Sequence, residues 1–380
     1  MMRAPVTILV TGFTRNAELL AKAMESVVSL RRSGHAARAL YLTWDTPALD
    51  PFVAPLHGMS EIELVRIGEP EVQGVPYQRG VHYQVRSLEA ALARIEGNDT
   101  PVLKLRPDVV ADADFLRSKI EGFAVLPAPR DLPIAKGLAM PKSPFKARLW
   151  LPWADANQPF WFEDAAFMGL KCDVARLVTP LGPGDLDVLA DTAYGPFAHV
   201  LRFGKIFAPR YPIFTRYLAN YRYFPNDMDY RRTLMNAQLH DAFYWHLVIA
   251  NAWILATSFH IDCGPQGALA LYGNNHNSGA DWTSLRGLKV NTPYNQIEGW
   301  RAAQNAGRIM PCVARLYGRL VDDSWAAGVF GEGPGLEFDR AKLRGILKNV
   351  INYRAGALAA LEKPYYAKLD QLLKARKAAA

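Results

Sequence analysis

Residues 6–12 (VTILVTG) form an apolar run that ends in glycine, and the residues after it decide what such a run can become. Asn16 carries a side chain suited to capping a helix. Leu19, Leu20, Ala23, Val27 and Leu30 then recur at helical spacing as one apolar face. Gly34 supplies a stop, and a second apolar run, 39–43, leads into Trp44-Asp45. Strand, helix and strand in that order make a βαβ unit. The two strands must lie parallel, because a helix between them is a crossover and not a hairpin. Parallel sheets are covered on both faces, so the sequence predicts an α/β protein.

The pattern continues beyond this unit. Residues 61–67 alternate, with Ile62, Leu64 and Ile67 against Glu61, Glu63 and Arg66, and predict another strand. Residues 84–96 place Val85, Leu88, Leu92 and Ile95 at helical spacing, with Gly97 as the stop. Asn98-Asp99-Thr100-Pro101 is turn chemistry, and residues 102–110 (VLKLRPDVV) are the next strand.

That strand is the most informative segment. If it is extended throughout, Lys104, Arg106 and Asp108 project from one face and Leu103 and Leu105 from the other. A strand inside an α/β sheet normally reads apolar throughout. Three ionisable groups on one face are costly to bury unless they pair or meet a charged ligand. Pro107 holds Arg106 extended and removes a ladder donor, so pairing is expected to end near it. Open α/β sheets bind ligands at the carboxyl ends of their strands, and Asp108 stands at such an end.

The chain has 380 residues, half of them hydrophobic and 21% charged, which is globular composition. That length predicts two regions: 1–210, carrying the sheet, and 211–380, mostly helical. The formal net charge of +8 suits phosphorylated substrates, anionic lipid or nucleic acid, but no nucleic-acid-binding motif accompanies it. No nucleic-acid partner is expected. Cys172, Cys263 and Cys312 lie far apart, which predicts reduced thiols in a cytoplasmic protein over a disulfide or zinc site. The apolar stretch 6–10 is too short for a signal peptide. Residues 242–261 contain no Asp, Glu, Lys or Arg, yet His246, Asn251 and His260 interrupt them, so they read as a buried helix followed by a strand. From Tyr211 to Arg232 the chain is rich in tyrosine and arginine, which suits either an anionic carbohydrate or an interdomain core. A basic helical tail over 340–377 suits either an anionic lipid surface or solvent.

The order of these elements resembles the WavE lipopolysaccharide-synthesis family. It is carried by Thr43-Trp44 at a strand end, Gln84 on a helix, Lys104-Leu105-Arg106-Pro107-Asp108, and Asp164 with Gly169 in WFEDAAFMG. Leu42 stands where the family often has Ser, and Tyr83 where Arg commonly precedes the Gln. The resemblance covers roughly the first half of the chain. It implies a GT-A-like, Rossmann-type sheet, mixed and mainly parallel, flanked by helices, that binds a nucleotide-sugar donor. It implies a glycosyltransferase with a carbohydrate or lipid-linked glycan acceptor, in lipopolysaccharide or capsule synthesis. The location would be cytoplasmic, at the inner face of the membrane.

The residues suit that chemistry. A nucleoside diphosphate leaving group gains negative charge as the glycosidic bond breaks, and needs a divalent cation or cationic side chains. Asp108 is a hard oxygen ligand for Mg²⁺ or Mn²⁺. Lys104 and Arg106 either neutralise diphosphate or orient Asp108 in a local ion pair. Asp164, with Glu163 beside it, is the candidate general base for the acceptor hydroxyl, or else a helix N-terminal acid against aromatic packing. Asp45 suits contact with base or ribose, or caps the next turn. Arg15, in the loop after the first strand, can reach phosphate or stand in solvent. Gln84 belongs to the same donor-binding set. The competing class is a non-catalytic nucleotide-sugar or polysaccharide-binding subunit of an assembly complex.

Overall fold

The computed structural model describes residues 5–12, 14–69, 76–123, 143–152, 154–155, 165–177, 206–207, 254, 258–261, 268–271 and 288–289. The opening unit forms as the sequence predicts. Strand β1 is Val6–Thr11, helix α1 is Ala17–Arg32 and strand β2 is Ala36–Trp44. The Asn16 side chain accepts a hydrogen bond from the Leu19 amide at 2.9 Å, which satisfies one of the open donors at the start of α1. Gly34 ends it with a positive φ of 76°, a conformation that other residues adopt at a cost.

A short helix α2, Asp50–Val53, precedes strand β3, Glu63–Ile67. Helix α3, Pro76–Leu92, begins earlier than its apolar spacing alone predicts, with proline at the first position, where no amide is missed. It ends before Ile95 because the amides of Arg94 and Ile95 turn back to Ala91 and Leu92, ahead of Gly97 at φ 73°. Strand β4 is Pro101–Leu105, β5 is Val109–Ala111 and helix α4 is Ala113–Gly122. Strands β6 (Leu149–Leu151), β7 (Ala154–Asp155) and β8 (Ala166–Leu170) precede helix α5, Lys171–Leu177. Strands β9 (Phe259–Ile261), β10 (Leu269–Leu271) and β11 (Leu288–Lys289) come much later in the chain.

Seven strands make the main sheet, in the order β3-β2-β1-β4-β8-β6-β9. Each of β3, β2, β1 and β4 is parallel to its neighbour, β8 runs against β4 and β6, and β9 is parallel to β6. The sheet is therefore mixed and mainly parallel, the α/β class expected. Helix α1 buries Leu20, Ala23, Met24, Val27 and Leu30 against Val6, Ile8, Val10, Ala39, Tyr41, Leu103 and Leu105. Helix α4 joins this side, with Phe115 edge-on to Trp150 at 6.0 Å. Register sets the other side. Thr11 pairs with Leu42, so Thr11, Leu42 and Trp44 share the face opposite Tyr41. Trp44 meets Tyr83 of α3 at 5.2 Å between ring centroids.

The expected strand 102–110 is divided. The Val109 amide donates to the Arg106 carbonyl at 3.2 Å, which closes a turn over Pro107-Asp108. Pro107 has no amide to give a ladder, and the chain leaves the sheet there. Strand β5 then pairs antiparallel with β10. Gly169 has a packing explanation. A Cβ on it would stand 3.0 Å from two atoms of the Leu149 side chain and 3.3 Å from Val174. Of the expected helix-then-strand over 242–261, the strand forms as β9; residues 242–253 lie outside the described residues, as does the tail over 340–377. Among the described residues, no helix is long and apolar enough to cross a membrane.

Candidate functional site

The strand order reverses at β1. The chain moves outward on one side through β2 to β3, then returns to place β4 on the other side. Such a reversal opens a crevice at the carboxyl ends of the two central strands, where open α/β sheets bind ligands. Here those ends are Thr11-Gly12 and Leu105-Arg106. Gly12 has φ 113°, and its amide donates to the Leu42 carbonyl at 3.3 Å. A Cβ on Gly12 would lie 3.5 Å from Cδ of Pro107, so the two strand ends approach closely. Any residue but glycine would be strained there.

Asp108 lies in the turn just past β4 and is only 6% exposed. Arg106 donates to both its carboxylate oxygens, Nε to Oδ1 at 3.0 Å and Nη2 to Oδ2 at 2.6 Å. This is the two-pronged geometry that makes Arg–carboxylate pairs strong. Burial, and after it the negative charge of Asp108, push the Tyr41 phenol above its ordinary range. Lys104 is 2% exposed, and its Nζ stands 5.3 Å from the centroid of Phe167. Lys104 pairs in register with Leu9 and so shares the face of Thr11. The expectation that Lys104, Arg106 and Asp108 project from one extended face is therefore corrected. The turn at Pro107 takes Asp108 out of the line of the strand that carries Lys104, and Asp108 pairs with Arg106 at the strand's end.

Of the remaining expected residues, Asp45, Arg15 and Gln84 fall within the described residues. Asp45 follows β2 and is exposed; its amide donates to the Ile67 carbonyl at 2.8 Å. Its carboxylate is 3.9 Å from Arg66, which also pairs with Asp50. Arg15 is exposed in the loop before Asn16. Gln84 lies on the stripe of α3 that carries the buried Leu88 and Ala91. Asp164 and Glu163 lie outside the described residues. Their sequence neighbour Ala165 is described, and its carbonyl accepts the Arg106 amide at 2.8 Å.

Among the described residues, five at this end hold buried polar atoms without a hydrogen-bond partner: Thr11 Oγ1, Tyr41 OH, Thr43 Oγ1, Trp44 Nε1 and Gln84 Oε1. Each such atom costs about 1–3 kcal/mol, and unsatisfied groups are rare enough in folded proteins to call for an explanation. Thr11 and Tyr41 are not among the residues that the sequence singles out. The signal for Thr11 is a threonine closing a run otherwise apolar from Ile8 to Val10.

A divalent cation does not fit the described residues as they stand. Both Asp108 oxygens already accept from a guanidinium, which would repel a cation beside it. Among the described residues, no three of His, Cys, Asp or Glu converge.

The sheet order and its reversal at β1 define a protein of the α/β class. No family model and no curated protein matches the chain. Among solved structures it is similar to the galactosyltransferase LgtC in complex with donor and acceptor sugar analogs. The identity is 14%, the TM-score is 0.30, and the match covers 49% of this chain and 66% of that one.

Proposed function

We propose that this chain is a glycosyltransferase, moving a sugar from a nucleotide-sugar donor to a surface-polysaccharide acceptor of the lipopolysaccharide or capsule type. The observation that carries this reading is the cationic and carboxylate group at the switch point: Lys104, Arg106 and Asp108 within one strand end and its turn. Arg106 and Lys104 face the charge that builds on a departing diphosphate, in a site where burial strengthens the attraction. Asp108 orients Arg106. Asp164 takes the proton from the acceptor hydroxyl as its oxygen attacks the anomeric carbon. The contact between the Arg106 amide and the Ala165 carbonyl supports this assignment, because Asp164 is one residue away in sequence. Gln84, Asp45 and Arg15 line the donor side.

A screen of thermal unfolding against sugar nucleotides tests the reading. Ligand that binds only the folded state raises stability by RT ln(1 + [L]/Kd), about 2.7 kcal/mol at a hundredfold excess over Kd. The expected outcome is a raised midpoint with one donor class. A flat response to all of them would remove the nucleotide-sugar reading. The specific observation favouring a non-catalytic binding subunit is that Arg106 occupies both Asp108 oxygens. That alternative predicts binding without turnover.

An acceptor of this class would be met at the inner membrane face, and the basic composition of residues 340–377 suits anionic lipid there. Flotation with anionic vesicles should show binding that fades as salt rises, since screening shortens to about 3 Å at 1 M. Equal binding to neutral vesicles would mean that the tail charges take no part.

A further inference from the structure

We propose that Thr11, Trp44 and Gln84 read the hydrogen-bonding edge of the donor's nucleobase, an inference that rests on the nucleotide-sugar reading above. Their unpartnered atoms are chemically complementary. Trp44 Nε1 only donates, Gln84 Oε1 only accepts, and the Thr11 hydroxyl does either. They stand on one face at one end of the sheet. Thr11 closes β1 beside Leu42, Trp44 closes β2 two residues further on, and Gln84 follows Tyr83, whose ring touches Trp44. This is the crevice side of β1 and β2, one strand over from Arg106 and Asp108.

Bases offer a donor and an acceptor side by side on one edge, so a donor and an acceptor fixed in the protein match them. Stacking is the other usual way to hold a base, and the geometry disfavours it here. The Trp44 ring is 3% exposed and already lies against Tyr83, tilted at 52°. Tyr83 is itself held, its hydroxyl donating to Glu69 at 2.9 Å while Glu69 also accepts from Thr46 at 3.1 Å. The aromatic pair is a wall that fixes the indole N–H, and recognition falls to the polar atoms. Thr11 is 1% exposed, so its hydroxyl is equally fixed by its surroundings.

Calorimetric titration with a panel of nucleoside diphosphates and with inorganic pyrophosphate tests this in the full chain. Pyrophosphate reports the cationic switch point alone, and the nucleoside diphosphates add the base. Trp44→Phe keeps an aromatic ring and removes the N–H, Gln84→Met keeps the length and removes the carbonyl, and Thr11→Val keeps the shape. Each should weaken the best nucleoside diphosphate about tenfold or more, as loss of one hydrogen bond to a fixed partner does, and leave pyrophosphate unchanged. An unfolding midpoint kept within a few degrees identifies which variants are folded, and three variants guard against losing one. If the folded variants bind nucleoside diphosphate as before, the base is read elsewhere, and this inference falls while the nucleotide-sugar reading stands. Equal loss of pyrophosphate would make the effect structural and also overturn it. If the unsubstituted protein binds no nucleoside diphosphate, both readings fall.

Discussion

Asp164→Asn should lower turnover on the order of 10²–10⁴-fold while leaving donor affinity nearly unchanged. The substitution keeps the shape of the side chain and removes its basicity. A general base acts on the acceptor hydroxyl only as the bond forms, so its loss is felt in the transition state and not in the ground-state complex. The split between the two measurements carries the information. A general defect in folding would reduce binding sites and turnover together. Donor titration by calorimetry beside a turnover assay reads both. Lost donor binding with turnover per bound donor unchanged would move Asp164 to the donor side and break the assignment. Donor binding with no turnover in the unsubstituted protein, whatever acceptor is offered, would favour the binding-subunit alternative.

How much of the fold is legible in the sequence depends on the range of the interactions. The first βαβ unit is written locally: Asn16 caps its own helix, Gly34 ends it, and the apolar face of α1 needs only a sheet to cover. The turn at Pro107 is half legible. Proline announces that pairing stops, but the departure of β5 to join β10 depends on residues more than a hundred positions away. The antiparallel β8 between β4 and β6 is likewise unreadable, because register over such distances is set by packing and not by local pattern. At the site, the charged residues of the strand end stand out against an apolar background. The buried polar atoms do not. Thr11 and Tyr41 look like ordinary strand residues, and only the absence of partners in three dimensions sets them apart. Gly169, quoted from the sequence as a motif glycine, also has a packing reason in the nearness of Leu149.

Asp108→Asn is expected to act first on the fold. It leaves the Arg106 guanidinium facing a neutral amide where it faced two carboxylate oxygens at 3.0 and 2.6 Å. Removing one partner of a buried pair typically costs about 3–5 kcal/mol. The Arg106 side chain keeps 21% of its exposure, so the cost should fall at the low end, about 3 kcal/mol, as read from urea unfolding. Donor affinity, measured on the fraction that remains folded, should also fall, by about 1.5–3 kcal/mol for one charged contact. The double variant Arg106→Gln with Asp108→Asn separates the two effects. It also removes the guanidinium that loses its carboxylate, so much of the lost stability should return. Donor binding should not return with it, because the guanidinium that faces the diphosphate is gone. Recovery of stability and donor affinity together would make Arg106–Asp108 a clamp on the turn at Pro107 and nothing more. The diphosphate would then have to be held by Lys104 or by residues beyond this strand end, and the assignment of the KLRPD segment to the donor site would fail.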